Sequence, residues 1–260
     1  MKTSFPVWAA GATLLWAGTA LAETYTGLAI DEDDVAALGQ KHYSPYLDQS
    51  YPNRMFFGDT HLHTSYSTDA GMLGNTLGPD DAFRFARGEK VRASAGAYAQ
   101  LIRPLDFLVV ADHAENLGLA PMIEESNPAL LANDWGREAH DLVKGRDIFA
   151  AFVQWGAAMN ERKDPIDDDD LTRTIWNRIV ESAERYNEPG VFTSLHGFEW
   201  TSMPDGNNLH RVVIFRDDAG NVEDLVPYSN YDSSDPEDLW EKRVFCQALV
   251  RTQSNARERT

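Results

Sequence analysis

Two histidines separated by one residue, His61 and His63, form the first arrangement in the sequence that suggests metal binding. On an extended strand, residues two apart project from the same face, so both imidazoles can reach one cation. Asp59 lies on that same face, and Asp69 follows His63 closely enough to reach the same site through a loop. A lone H-x-H pair is common by chance, and two surface histidines explain it equally well.

Three further positions carry the same kinds of side chain where a strand is expected to meet a loop. His113 follows Asp112 directly after the apolar run Leu105–Ala111, although an Asp that caps the next turn explains this pair as well. Glu199 is the polar exception near the end of another apolar strand, and an ionised carboxylate there is costly unless cations pair with it. His210 stands at the start of a third apolar run.

The joint placement of these side chains favours metal binding. Imidazole and carboxylate ligands suit Zn, Mn or Fe and do not distinguish among them. A bridging carboxylate could serve two cations, and such a pair holds a bridging hydroxide at neutral pH and neutralises charge on a phosphoryl or acyl transition state. The predicted metal ligands are His61, His63, Asp69, His113, Glu199 and His210.

Other chemistries find less support in the sequence. Cys246 is the only cysteine, which excludes an internal disulfide, a thiolate-rich zinc site and an iron–sulfur cluster. Neither a G-x-S-x-G nucleophile elbow nor a Gly-rich phosphate loop occurs. His196 falls on the opposite face of a regular strand from Glu199, so we expect it in the core or behind the ligands. The acidic run 167–170 lacks EF-hand spacing and is expected to cap the following helix.

Strands that alternate with helices must position these side chains. Nearly continuous apolar runs indicate strands covered on both faces, and apolar residues three to four apart indicate helices. This alternation predicts an α/β fold with a largely parallel sheet or barrel, in which functional groups gather at the carboxyl ends of the strands. The predicted strands are Met55–His63, Leu105–Ala111, Val191–Trp200 and Leu209–Phe215, and the predicted helices are Gly78–Arg87, Trp135–Asn160 and Leu171–Tyr186.

Composition limits the partners. The 260 residues include 41 acidic and 23 basic side chains, a formal charge of −18. Polyanions bind through clustered Lys and Arg, so nucleic acid and anionic membrane surfaces are not expected partners, whereas a small phosphorylated substrate remains possible. Hydrophobic residues make up 43% of the chain, enough for a sizeable core.

The first 22 residues read as an export signal. They combine a lysine near the start, an apolar stretch and small residues that end in Ala20-Leu21-Ala22, an A-x-A cleavage pattern. A membrane anchor explains them less well, because the stretch is short for a bilayer span and contains Pro6, Gly11 and Gly18. We therefore expect a mature chain that begins at Glu23 and is periplasmic or secreted, with no membrane association after cleavage.

Four motifs in order resemble a known family. The strings FFGDTHLHTSYSTDAG, RPLDFLVVADHAENLG, HGFEWTS and NNLHRVVIFRD resemble the domain-of-unknown-function 3604 (DUF3604) family. That family is similar to the PHP (polymerase and histidinol phosphatase) metallohydrolase superfamily. The resemblance covers roughly residues 50–240 and implies a distorted PHP-type β/α barrel with up to three metal ions at the carboxyl ends of the strands.

The resemblance also implies how the ligands divide among the ions. His61 and His63 would bind the first ion, and Glu199 would bridge the first and second. His210 would bind the second, and Asp69 with His113 would serve the third. Most characterised PHP relatives cleave phosphoesters, so the resemblance implies a phosphoesterase.

The sequence thus predicts an exported metal-dependent hydrolase that attacks a phosphoester with a metal-bridging hydroxide. Glu199 and Arg211 are the predicted catalytic residues, and Arg211 would hold the anion. The expected domain, residues 23–240, is a PHP-like domain without the later strands of the family, so the barrel is expected to be incomplete at its carboxyl end. Residues 241–260 would be a divergent tail, from a frameshift or a fragment. A non-catalytic or degenerate periplasmic metal-binding protein, and a hydrolase of non-phosphate esters or amides, remain alternatives.

Overall fold

Helices and strands alternate along the part of the chain that the structure describes. The structure is a computed structural model that describes residues 54–204, 207–216 and 218–241. The expected signal peptide, Cys246 and all of the expected tail except Glu241 lie outside these residues. The strands are β1 (Gly58–Leu62), β2 (Val91–Arg92), β3 (Tyr98–Ala99), β4 (Phe107–Val110), β5 (Thr193–Leu195), β6 (Gly197–Ser202) and β7 (Leu209–Ile214). The helices are α1 (Thr68–Met72), α2 (Pro79–Ala86), α3 (Leu119–Glu124), α4 (Pro128–Ala132), α5 (Asp134–Lys144), α6 (Ile148–Glu161), α7 (Asp169–Tyr186), α8 (Ala219–Val222) and α9 (Pro236–Glu241).

A parallel sheet of three strands, in the order β1-β4-β5, holds the centre of the fold. Leu108, Val109 and Val110 of β4 are almost completely buried, as expected for a strand covered on both faces. The prediction of an α/β fold with a parallel sheet is therefore confirmed. Within the described ranges the strands do not close into a barrel.

The predicted strand Val191–Trp200 is wrong as a single element. The chain forms β5 and β6 with a break at His196, and β6 pairs antiparallel with β7 in a separate two-stranded sheet. Gly197 permits this change because a Cβ there would lie 2.6 Å from the Val109 side chain and 2.7 Å from the Val213 carbonyl oxygen. Only a residue without a side chain allows such a close approach.

Beyond the break, β6 still runs alongside the segment that follows β4. An isolated parallel bridge joins His113 to Glu199 and keeps the register that pairs Phe107 with Thr193. Glu199 donates its backbone N–H to the Asp112 carbonyl at 3.0 Å and accepts one from Ala114 at 2.9 Å. This backbone pairing places the side chains of His113 and Glu199 next to each other.

An aromatic cluster holds β6 against the helices. The ring centroids of Trp176, Phe198 and Phe215 lie 6.0–6.1 Å apart, and the Trp176 indole donates to the Val222 carbonyl at 2.7 Å. Successive side chains on a strand alternate between faces. Because Phe198 turns into this core, its neighbour Glu199 projects from the opposite face of β6.

The long helical region at 135–160 divides into two helices, α5 and α6, rather than one. Arg146 has a φ of 67° between them, and the Asp147 side chain accepts from the backbone N–H of Ala150 to cap α6. A left-handed residue followed by a side-chain cap ends one helix and begins another. The acidic run caps α7 as predicted: the Asp168 side chain accepts from the Leu171 N–H at 2.9 Å. None of the helices in the described ranges is long and apolar enough to cross a bilayer.

The turn that follows the His113 segment depends on Gly118, which has a φ of 76°. An added Cβ would meet Ile175 Cγ2 at 2.4 Å, whereas at Gly190, with a φ of 86°, it would meet nothing within 4 Å. Both alanine substitutions cost left-handed strain, but only Gly118→Ala adds a clash with a core side chain. We expect losses in unfolding free energy of about 2–4 kcal/mol for Gly118→Ala and about 1 kcal/mol for Gly190→Ala. Chemical denaturation measures both, and equal losses would contradict this packing.

Candidate metal centre

Five different segments supply the six predicted ligands, and the structure brings all six together. His61 and His63 stand at the end of β1, Asp69 lies in the first turn of α1, and His113 follows β4. Glu199 lies on β6 opposite β7, where His210 pairs with Thr201. The carboxyl ends of β1 and β4 bring His61, His63 and His113 to one edge of the parallel sheet. The bridge between His113 and Glu199 brings the β6–β7 pair to the same edge.

Glu199 is at the centre of the cluster, and its side chain is only 1% exposed. Its Oε2 lies 2.9 Å from His61 Nε2 and 2.7 Å from His63 Nε2, and its Oε1 lies 3.0 Å from His210 Nδ1. The His61 and His210 side chains are 47% and 37% exposed. The cluster therefore combines a buried carboxylate with imidazoles that reach solvent.

Asp69 extends the cluster on the other side of His63. Its Oδ1 lies 3.4 Å from His63 Nδ1, and its Oδ2 lies 3.6 Å from His113 Nε2. The Ser67 hydroxyl donates to Asp69 Oδ1 at 2.6 Å, contacts His63 Nδ1 at 3.0 Å and accepts the His113 backbone N–H at 3.2 Å. Ser67 thus ties together three of the candidate ligands.

The six side chains form three overlapping groups that could each hold a metal ion. In every group, one potential ligand atom per residue lies within 4.8 Å of the others. The three groups are His61, His63 and Glu199; His63, Asp69 and His113; and His113, Glu199 and His210. The donors fit a borderline divalent cation, since each group combines imidazole nitrogen with carboxylate oxygen. Glu199 has an oxygen on each side, so it could bridge two ions.

In the protein without metal, the carboxylates and imidazoles stabilise each other's charges. Burial lowers the pKa of His63, but hydrogen bonds to Asp69 and Glu199 outweigh it and raise the pKa to about 9. Burial likewise disfavours the charged form of His113, but the Asp69 and Glu115 carboxylates, each 3.6 Å from one of its ring nitrogens, raise its pKa to about 10.

The pKa values of the two carboxylates, Glu199 and Asp69, are lowered. Burial raises the pKa of Glu199, but the hydrogen bond from His63 and the charge of His113 lower it to about 2. Hydrogen bonds from His113 and His63 hold the pKa of Asp69 well below its usual range despite burial. A bound cation that replaced the protons on His63 and His113 would also balance the negative charges of Glu199 and Asp69.

Asp112 supports the centre without joining it. Its buried carboxylate accepts the Thr64 backbone N–H and, at 2.7 Å, the Thr64 hydroxyl, which fixes the residue after His63. Burial raises the pKa of Asp112 to about 6 in spite of these hydrogen bonds. The alternative interpretation, in which the Asp112 side chain caps the turn that follows it, is wrong. The carboxylate instead accepts hydrogen bonds from Thr64, two residues after the end of β1.

Three other residues discussed from the sequence lie outside the ligand groups. Arg211, on β7, pairs with Trp200 of β6. Because neighbouring side chains on a strand alternate between faces, the Arg211 side chain projects from the other face of β7 than that of His210. The Asp59 carboxylate accepts the backbone N–H of His61 at 2.9 Å. His196 is buried and contacts Glu184 Oε1 through Nε2 at 2.9 Å, which agrees with its predicted position away from the ligands.

Sequence reasoning missed two buried polar residues beside the ligands. The Thr201 hydroxyl lies 2.7 Å from His113 Nδ1 and 3.3 Å from His210 Nδ1. The Glu115 side chain is fully buried, with Oε2 3.6 Å from His113 Nδ1. Glu115 could have been predicted from the sequence as a second carboxylate that closely follows the apolar run Leu105–Ala111. Thr201 could not, because only the register of the β6–β7 pair places it beside His210.

The shifted pKa values predict how stability depends on pH. The raised pKa values of His63 and His113 contribute stability that is complete below the usual histidine value of 6.5 and is lost as the pH rises through 9 to 10. Chelator-treated protein should therefore have a lower Tm at pH 9 than at pH 6.5. Protein loaded with Zn²⁺ should show a smaller decrease in Tm between pH 6.5 and pH 9, because imidazoles that bind a cation are already neutral.

Thermal unfolding of a His63→Gln/His113→Gln double variant tests this expectation. In the chelated state the double variant should lose less Tm between pH 6.5 and pH 9 than the wild type. His140→Gln is the control, because His140 contacts Ser126 and Asp141 outside the cluster. The same pH slope in all three proteins would contradict the charge assignment.

Comparison with known proteins places the chain in a family. The model of the family described as "Protein of unknown function (DUF3604)" matches residues 50–251, a range that includes all six ligands and continues past Trp240. No curated protein and no solved structure matches the chain. With most of its length matched, the chain belongs to the DUF3604 family.

Proposed function

We propose that this protein is a metal-dependent hydrolase of the PHP type that cleaves phosphoesters of small molecules. The observation that carries the proposal is Glu199, a buried carboxylate whose two oxygens contact three imidazoles. A buried carboxylate is costly unless positive charge surrounds it. Two oxygens with separate imidazole partners suit a carboxylate that bridges two ions.

The donor set supports Zn, Mn or Fe as the cofactor. His61 and His63 would hold one ion with Glu199, His210 would hold a second with Glu199, and Asp69 with His113 would hold a third. Bound divalent ions lower the pKa of a coordinated water and offset negative charge on a phosphoryl group. Neighbouring hydroxyl groups orient the imidazoles: Ser67 contacts the His63 ring and Thr201 contacts the His113 ring through hydrogen bonds.

The fold is compatible with this proposal. Two parallel strands, β1 and β4, carry candidate ligands at or just beyond their carboxyl ends, and a PHP-type barrel would place ligands at strand ends in the same way. We further propose that the chain is exported to the periplasm or secreted, on the strength of the apolar stretch and A-x-A pattern in residues 1–22.

One observation favours a second candidate, a non-catalytic metal-binding protein. Arg211 was expected to hold the substrate anion, yet it lies on the face of β7 opposite His210. Its guanidinium donates to the neighbouring His210 carbonyl oxygen at 2.8 Å. The same six ligands would bind metal in either protein, so only turnover separates the two candidates.

The test measures bound metal and hydrolysis in the same preparations of the full chain. The protein is loaded with Zn²⁺, Mn²⁺ or Fe²⁺, analysed for metal by mass spectrometry, and assayed with p-nitrophenyl phosphate, bis-p-nitrophenyl phosphate and p-nitrophenyl acetate. We expect bound metal and chelator-sensitive cleavage of a phosphoester. His61→Ala/His63→Ala should lose at least one ion per chain and about 100-fold or more of the activity, because metal chemistry supplies several kcal/mol of transition-state stabilisation.

His140→Ala serves as the matched control, since it removes a histidine outside the cluster. Metal content that the double substitution leaves unchanged would refute the site. Bound metal without turnover of any of the three substrates would favour the non-catalytic candidate, and turnover of the acetate ester alone would replace the phosphoesterase with an esterase.

A further inference from the structure

Glu115 has one carboxylate oxygen without a hydrogen-bond partner. Its side chain is fully buried. Oε1 accepts the backbone N–H of Asn230 at 2.8 Å and that of Thr201 at 3.2 Å. Oε2 accepts no hydrogen bond in the described part of the chain. An unsatisfied carboxylate oxygen in a dry environment is costly, so its position calls for a donor nearby.

His113 offers a candidate donor. Glu115 Oε2 lies 3.6 Å from His113 Nδ1, and the Thr201 hydroxyl lies 2.7 Å from the same nitrogen. Glu199 Oε2 is also 3.6 Å away, but His61 and His63 already contact that oxygen. The Thr201 hydroxyl, which also lies 3.3 Å from His210 Nδ1, and the Glu115 oxygen without a hydrogen-bond partner therefore both face His113 Nδ1.

The other ring nitrogen of His113 faces a different group. Its Nε2 lies 3.6 Å from Asp69 Oδ2. His113 belongs to two of the three ligand groups, one with Asp69 and one with Glu199 and His210. A neutral imidazole binds a metal only through the nitrogen that carries no proton, and the partner of the other nitrogen sets which one that is. The position of one proton thus decides between the two groups.

We propose that Glu115 is a positioning residue that keeps the His113 proton on Nδ1, so that His113 binds a cation through Nε2 together with Asp69. The proposal rests on the metal centre proposed above, in which Asp69 and His113 share an ion, and goes beyond it by naming the residue that fixes which His113 nitrogen faces that ion. The Thr201 hydroxyl accepts a hydrogen bond from the His113 Nδ1–H. The negative charge of the Glu115 carboxylate, 3.6 Å from Nδ1, further stabilises a proton on that nitrogen. His113 is thereby excluded from the group of Glu199 and His210.

Glu115→Gln tests the proposal with little change of shape. The Gln carbonyl oxygen keeps the contacts with Asn230 and Thr201, but an NH2 donor replaces the oxygen that faces Nδ1. This donor favours an unprotonated Nδ1 and moves the His113 proton to Nε2. We expect the affinity for one ion to fall 10- to 100-fold or its occupancy to be lost, as is typical when a residue that orients a metal ligand is changed.

A second readout separates positioning from a merely structural role. In the Zn²⁺-loaded wild type, the ¹⁵N spectrum of the imidazoles should show His113 with its proton on Nδ1. This spectrum needs no variant, so it decides the question even if Glu115→Gln fails to fold.

Each outcome has a separate meaning. A wild-type chain that binds no Zn²⁺, Mn²⁺ or Fe²⁺ would overturn the proposed function and this inference together. A Zn²⁺-loaded wild type with the His113 proton on Nε2, or a folded Glu115→Gln protein with unchanged ion count and affinities, would overturn the role of Glu115 alone.

Discussion

The polar cluster is arranged around one carboxylate that is buried among imidazoles. Glu199 is almost completely removed from water, and its two oxygens contact His61, His63 and His210. A carboxylate in that environment must be neutralised, either by protons on its neighbours or by cations. The raised pKa values of His63 and His113 are the response of the protein without metal, and metal binding is the response that the ligand types favour.

The fold meets this constraint through strand alternation and backbone pairing. Phe198 and Trp200 are buried in the core, so Glu199 and Thr201 project from the other face of β6. The bridge between His113 and Glu199 continues the register of the parallel sheet past the end of β4. Hydrophobic packing on one face of β6 thereby supports the polar cluster on the other.

Much of this centre could be predicted from the sequence, because strand ends and ligand spacing are local signals. All six predicted ligands meet in the structure, and the parallel sheet follows from runs such as Leu105–Ala111. The break at His196 and the antiparallel β6–β7 pair were missed, since a close approach at Gly197 is a tertiary effect. The prediction for Arg211 did not consider the β6–β7 register, which places its side chain on the other face of β7 from that of His210. Thr201 approaches the imidazoles only through tertiary contacts.

The most direct measurement is anomalous diffraction from crystals of the full chain grown with Zn²⁺ or Mn²⁺. We expect a peak about 2.0–2.3 Å from a Glu199 carboxylate oxygen and from the His61 and His63 nitrogens, with a further peak at a similar distance from the other Glu199 oxygen and His210. Well-ordered Glu199 and imidazole side chains without an anomalous peak between them, at saturating metal, would contradict it.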